Sequence, residues 1–95
     1  MKVLFDREAE NELAQQLDYL ISQEAAPAAR RLEQRLSHYI ETTIARYPRS
    51  GRFIQHRGLW ETWVPRTRIV IWYRFTIDEL QIVRIWHAAQ NRERT

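Results

Sequence analysis

The stretch Arg68-Ile69-Val70-Ile71-Trp72-Tyr73-Arg74-Phe75 decides how this 95-residue chain is read. Ile69, Ile71, Tyr73 and Phe75 alternate with Arg68, Val70, Trp72 and Arg74, and β-branched and aromatic residues dominate. That pattern predicts a strand with one face for a core. Beyond it, Thr76-Ile77-Asp78-Glu79 has the length of a hairpin turn, and Leu80 to Trp86 predicts a further strand. Both faces of that strand are apolar, which fits a central position and leaves its inside and outside unassigned. Before it, Leu59 to Val64 alternates loosely until Pro65 closes the run. Three consecutive strands at this spacing predict an antiparallel meander. The Ile69/Ile71/Tyr73/Phe75 face is expected to receive helices, and the Arg68/Arg74 face to stay partly open.

Further upstream the period changes. Lys2 to Phe5 is a short apolar run that can form a strand, and Asp6 is suited to cap a helix that opens with acids. Ala9, Leu13, Leu17, Leu20 and Ile21 then recur at spacings of three and four, predicting an amphipathic helix to about Gln23. Pro27 suits the first turn of a second helix. There Ala29, Leu32, Leu36, Tyr39, Ile40, Thr43, Ile44 and Tyr47 make one stripe until Pro48, and Pro48-Arg49-Ser50-Gly51 reads as a turn. The expected order is β-α-α-β-β-β, an α+β arrangement in one domain over residues 1–95. Asn91 to Thr95 reads as a polar, frayed end.

Composition removes several function classes. The chain has no Cys, which excludes a disulfide framework, a thiolate metal site and a Cys nucleophile. No apolar run approaches the roughly 20 residues that span a bilayer. The opening turns acidic after five residues, so it reads as neither a signal nor a transit peptide, and a cytoplasmic location is expected. His38, His56 and His87 lie too far apart in sequence to suggest a metal site, and two glycines cannot build a phosphate-cradling loop. No metal and no cofactor are expected.

Charge is more informative. Lys2 is the single lysine among 15 basic residues; the rest are arginine. Residues 6–24 carry Asp6, Glu8, Glu10, Glu12, Asp18 and Glu24 against Arg7. Residues 46–74 carry Arg46, Arg49, Arg52, Arg57, Arg66, Arg68 and Arg74 against Glu61. A basic half of this kind suits an anionic partner, and the guanidinium fork suits bidentate contact. All four tryptophans, Trp60, Trp63, Trp72 and Trp86, fall in the strand region beside those arginines. Trp and Arg are enriched in binding hot spots. Arg52, Arg57, Arg66, Arg68, Arg74 and Arg84, with the four tryptophans and His87, are therefore the candidate partner-binding residues. His56 and His87 are the candidates for proton transfer, since imidazole titrates near neutrality.

Tyr47-Pro48-Arg49-Ser50-Gly51-Arg52, Val64-Pro65-Arg66-Thr67-Arg68-Ile69-Val70-Ile71-Trp72-Tyr73-Arg74 and Arg84-Ile85-Trp86-His87-Ala88-Ala89-Gln90-Asn91-Arg92 resemble, in order, the RelE/ParE toxin superfamily of type II toxin–antitoxin modules. The resemblance implies a helical hairpin packed on one face of a small twisted, mostly antiparallel sheet. It also implies a cognate antitoxin that binds the toxin directly. The RelE-like branch cleaves mRNA on the ribosome, and on that analogy Arg68, His87 and His56 would be catalytic. However, the loop from Gly51 to Gly58 holds neither lysine nor carboxylate, and a net charge of +3 is low for a ribosome binder. The ParE-like branch poisons DNA gyrase and needs exposed anchors rather than a matched acid and base. The Pro-Arg-Ser-Gly-Arg turn and the His-Ala-Ala ending resemble that branch more closely, which makes gyrase the expected target. A non-toxic binding module of the same fold is a third alternative.

Overall fold

The computed structural model describes residues 1–88. Strand β1 (Lys2–Phe5) leads into helices α1 (Arg7–Ser22) and α2 (Ala26–Tyr39). After them come β2 (Arg52–Ile54), β3 (Leu59–Trp63), β4 (Ile69–Phe75) and β5 (Glu79–His87). The five strands form one sheet in the order β1-β5-β4-β3-β2. Only the β1–β5 pair is parallel. The α+β hairpin-on-sheet architecture is as the sequence implies, but the expected β-α-α-β-β-β order gains a strand. The addition is β2, whose three residues are too few to show a period. The Asn91–Thr95 end, with Arg92 and Arg94, lies outside the described residues.

Local chemistry sets the helix ends. Asp6 occupies the N-cap position of α1 without capping it; its carboxylate instead accepts from the Gln81 amide on β5. At the other end Ala25 N–H bonds Leu20 C=O and Glu24 N–H bonds Ile21 C=O, a Schellman closure. Its left-handed residue is Glu24, at φ 58°, where glycine would be free of strain. Pro27 sits in the first turn of α2. That helix widens into a π-turn at Ile40–Ile44, where Ala45 N–H reaches Ile40 C=O. The apolar stripe survives the widening as buried Leu36, Ile40 and Ile44, while Tyr47 is exposed.

The main core lies between hairpin and sheet. Ala9, Leu36, Ile40, Ile44, Val64, Ile69, Ile71, Tyr73, Leu80, Ile82 and Ile85 form it, with Leu13, Leu32 and Phe75 at its margin. Tyr73 is wholly buried, and its hydroxyl donates to Pro48 C=O at 2.7 Å. Burial pushes the Tyr73 phenol up to about 12. Gly51 makes this approach possible, because a Cβ there would stand 2.5 Å from the Tyr73 hydroxyl and 2.7 Å from Glu61 C=O. The glycine of the Pro-Arg-Ser-Gly-Arg turn is thus a packing requirement.

A β-bulge explains why β5 resists a period-two reading. Tyr73 faces Ile82 but Trp72 faces Arg84, so Val83 is the extra residue. Ile82 and Ile85, three positions apart, consequently both enter the main core, while Trp86 points to the far side. β5 is flanked by β1 only along Glu79–Ile82. It is central in its first half and an edge in its second.

Candidate partner-binding surface

On the side of the sheet away from the helices, the register aligns Arg52, Glu61, Trp72 and Arg84 across four strands. Directly opposed residues share a face, so a lone acid is set among cations and an indole. Glu61 is buried. It accepts from Trp72 Nε1 at 2.8 Å and from Arg52 Nη2 at 3.0 Å, which offsets the cost of burying its charge. Around it Ile54, Leu59, Val70, Trp72 and Trp86 form a second, smaller apolar cluster. The expectation of a partly open, cationic far face with Arg68 and Arg74 therefore needs correction: its centre is packed, and arginines form its cover.

Two of those arginines lie on indole faces. The Arg57 guanidinium is 5.0 Å from the centre of the Trp72 ring, and that of Arg84 is 3.9 Å from the Trp86 ring. Arg84 is also gripped by Glu12 of α1 through Nε at 3.0 Å and Nη2 at 2.8 Å. Glu8 adds a longer contact at 3.4 Å. Donating these hydrogen bonds to Glu12 raises the Arg84 pKa further above its already high value. Beside this cluster a cleft of about 300 Å³ is lined by Arg52, His56, Arg57, Glu61 and Trp72.

A larger concavity, about 570 Å³, opens on the helix side between α1, α2 and the β4/β5 ends. Leu20, Leu32 and Ile69 form its apolar lining, and Glu12, Gln15, Gln16, Tyr19, Thr67, Arg68 and His87 its polar one. Tyr19 and Ile21 stand exposed on the last turns of α1. Volume and lining suit capture of an apolar side chain or a short segment of a partner.

The predicted residues thus separate into groups. Arg52, His56 and Arg57 converge on the far-side cleft. Arg68 and His87 line the helix-side cavity instead. Trp72 and Trp86 are each 5% exposed, so in this conformation they are core residues rather than open anchors. Trp60 packs half-buried between Phe53 and Phe75. Trp63 remains exposed at 51%. Arg66 is exposed in the β3–β4 turn at φ 60°. Arg74 Nε donates to Gln81 Oε1 at 2.8 Å. His38 is exposed on α2.

Sequence reasoning missed the organising role of Glu61, although a lone carboxylate among seven arginines was a usable signal. Glu12 gave none, because its bonds to Arg84 and Ile85 join residues 72 and 73 positions apart. Among the described residues no group of three or more His, Asp or Glu is placed to hold a metal ion. Likewise no described helix is long and apolar enough to cross a membrane.

The geometry can be set against known proteins. Residues 3–92 match the family model described as the ParE toxin of type II toxin-antitoxin system, parDE. A solved structure, the chromosomal ParDE TA system from P. aeruginosa, superposes with a TM-score of 0.78. It is 19% identical and covers 92% of this chain and 95% of that one, a likeness of fold. No curated protein matches the sequence.

Proposed function

The chain belongs to the ParE toxin family of type II toxin–antitoxin systems, and on that premise we propose that it acts in the cytoplasm by poisoning DNA gyrase until a cognate antitoxin binds it. The observation that carries the choice of target is the separation of the proton-transfer candidates. His56 lies in the far-side cleft, whereas Arg68 and His87 line the helix-side cavity. General acid–base cleavage of RNA requires such groups around one phosphate. A binding inhibitor needs only anchors, and Trp63, Arg66 and Arg57 supply these at the surface.

Purified chain added to gyrase and supercoiled plasmid is expected to block supercoiling and to accumulate cleaved DNA. Its induction in cells should produce filaments and a DNA-damage response. Intact gyrase activity at excess toxin overturns the reading. One observation favours ribosome-dependent mRNA cleavage as the alternative, namely that Arg68 and His87 share a cavity. Immediate translation arrest with cut mRNA, abolished by Arg68→Ala with His87→Ala, would establish it. Absence of any growth effect with antitoxin binding retained would establish a non-toxic module.

The antitoxin partner follows the same logic. An acidic segment is drawn to the arginine-rich second half, so association should slow as salt rises. The helix-side cavity, with exposed Tyr19 and Ile21 beside it, would take the apolar part of that segment. An antitoxin footprint confined to the acidic face of α1 contradicts the electrostatic part.

A further inference from the structure

We infer that the outer edge of β2 accepts an extended, acidic segment of a partner protein as a sixth strand, through the backbone of Phe53. In an antiparallel strand, alternate residues direct both backbone groups to one neighbour, and the residues between direct theirs to the other side. Val64 N–H bonds Ile69 C=O, in register with the pair Trp60 and Tyr73. Trp60 and Thr62 therefore turn to β4, and Leu59 and Glu61 turn to β2. Ile54 and Arg52, which oppose Leu59 and Glu61, face inward in the same way, so the N–H and C=O of Phe53 point away from β3. β2 is the last strand of the sheet, and no backbone bond from the described residues reaches Phe53 from beyond it.

Charge decides what this edge admits. Residues 46–58 contain Arg46, Arg49, Arg52 and Arg57 and no carboxylate. All four arginines are exposed, Arg49 just before the strand and Arg57 in the turn after it. Arg52 reaches Glu61 through Nη2, yet its side chain is 72% exposed. The opposite edge of the sheet differs, because β1 runs beside Asp78 and Glu79. A second copy at β2 would set arginine against arginine, and short, charged edge strands resist self-pairing in this way. An acidic strand meets the opposite sign.

The faces of β2 set the pattern of the incoming segment, since directly opposed residues share a face. The residue set against Phe53 falls on the helix side, where the exposed Phe53 ring lies 5.3 Å from that of Trp60. An apolar side chain suits that position. Its neighbours fall on the far side, level with Arg52, where a carboxylate finds a guanidinium. The segment therefore alternates apolar and acidic residues, with backbone bonds giving affinity and side chains giving choice. Where the antitoxin supplies the segment, the inference rests on the partner proposed above; it is independent of the cellular target.

The test titrates the full chain with a capped octapeptide of alternating Glu and Val, following amide signals and their exchange. The expected result is a shifted signal and slowed exchange at the Phe53 N–H, both weaker as salt rises. The same peptide N-methylated at each Val keeps its charge but loses those backbone donors, and should lose the effect. Phe53→Pro removes the outward N–H, leaves the bonds to β3 in place and should not bind the octapeptide. If that variant fails to fold, the N-methylated peptide on the parent chain decides the same question. An unchanged Phe53 amide overturns the proposal, as does equal capture of the N-methylated peptide or of an alternating Lys-Val one. Phe53 protection that grows with chain concentration and mass before peptide is added also overturns it, because a second copy then holds the edge. The probe is synthetic, so its failure tells against the edge, whereas an antitoxin that does not bind tells against the partner proposed above.

Discussion

The two sides of the sheet are sealed with different materials. On the helix side, Leu36, Ile40 and Ile44 close over Ile71, Tyr73 and Ile85 with apolar side chains carried on α2 and its π-turn. On the far side, a five-residue apolar cluster surrounds a buried carboxylate, and guanidinium groups lie over the indoles of Trp72 and Trp86. The first cover comes off only by unfolding. The exposed Arg57 can rotate off the Trp72 indole at modest cost, roughly 0.5–1 kcal/mol, whereas Arg84 is fastened by Glu12. The two covers therefore differ in how they can open: the apolar one holds the fold, and part of the polar one is movable.

Four substitutions break or sharpen this contrast. Ile71→Ala empties a fully buried helix-side position and should cost about 2–5 kcal/mol, read from the denaturant midpoint. Trp72→Phe keeps a ring on the far side but removes the donor to Glu61 and should cost about 2 kcal/mol. A loss equal to that of Ile71→Ala would mean that the far side is as much a core as the other.

Tyr73 gives the helix side a pH signature. The phenol titrates near 10 in the unfolded chain and at about 12 in the native one, so the unfolded state releases its proton first. The parent should therefore lose stability as pH rises from about 10 toward about 12, beyond any loss in Tyr73→Phe. Parallel stability–pH curves for the two proteins would refute that assignment. Smallest is Glu24→Gly, which relieves the left-handed strain at the hairpin joint and should add about 1 kcal/mol, seen as a raised Tm.

The helical hairpin and β4 were legible because each presents one apolar face at a clear period, and β3 and β5 because β-forming residues run between turn signals. β2 was not, since a three-residue edge strand with exposed Phe53 has no period to show. Extra residue Val83 hid the facing of β5 by shifting Ile85 onto the side that alternation assigns to Arg84. The arginine-rich character of the candidate surface could be read directly. Its layering could not, because sequence places Trp72 beside Arg74 but says nothing of Arg57 arriving from a loop to cover it. Arg68 illustrates the same limit: alternation assigns it to the far side, yet it lines the helix-side cavity from the turn before β4.

The parallel pairing of β1 with β5 joins residues 2–5 to residues 79–82. A nascent chain emerging amino-terminus first must therefore wait for nearly its whole length before the opening strand finds its neighbour. Leu80, Ile82 and Ile85, all fully buried, arrive in that same late segment. A prematurely terminated product that stops before Glu79 would leave α1 without the surface it packs on. Completion of the fold is thus tied by topology to completion of the chain: a copy cut short before Glu79 has no strand for β1 to pair with.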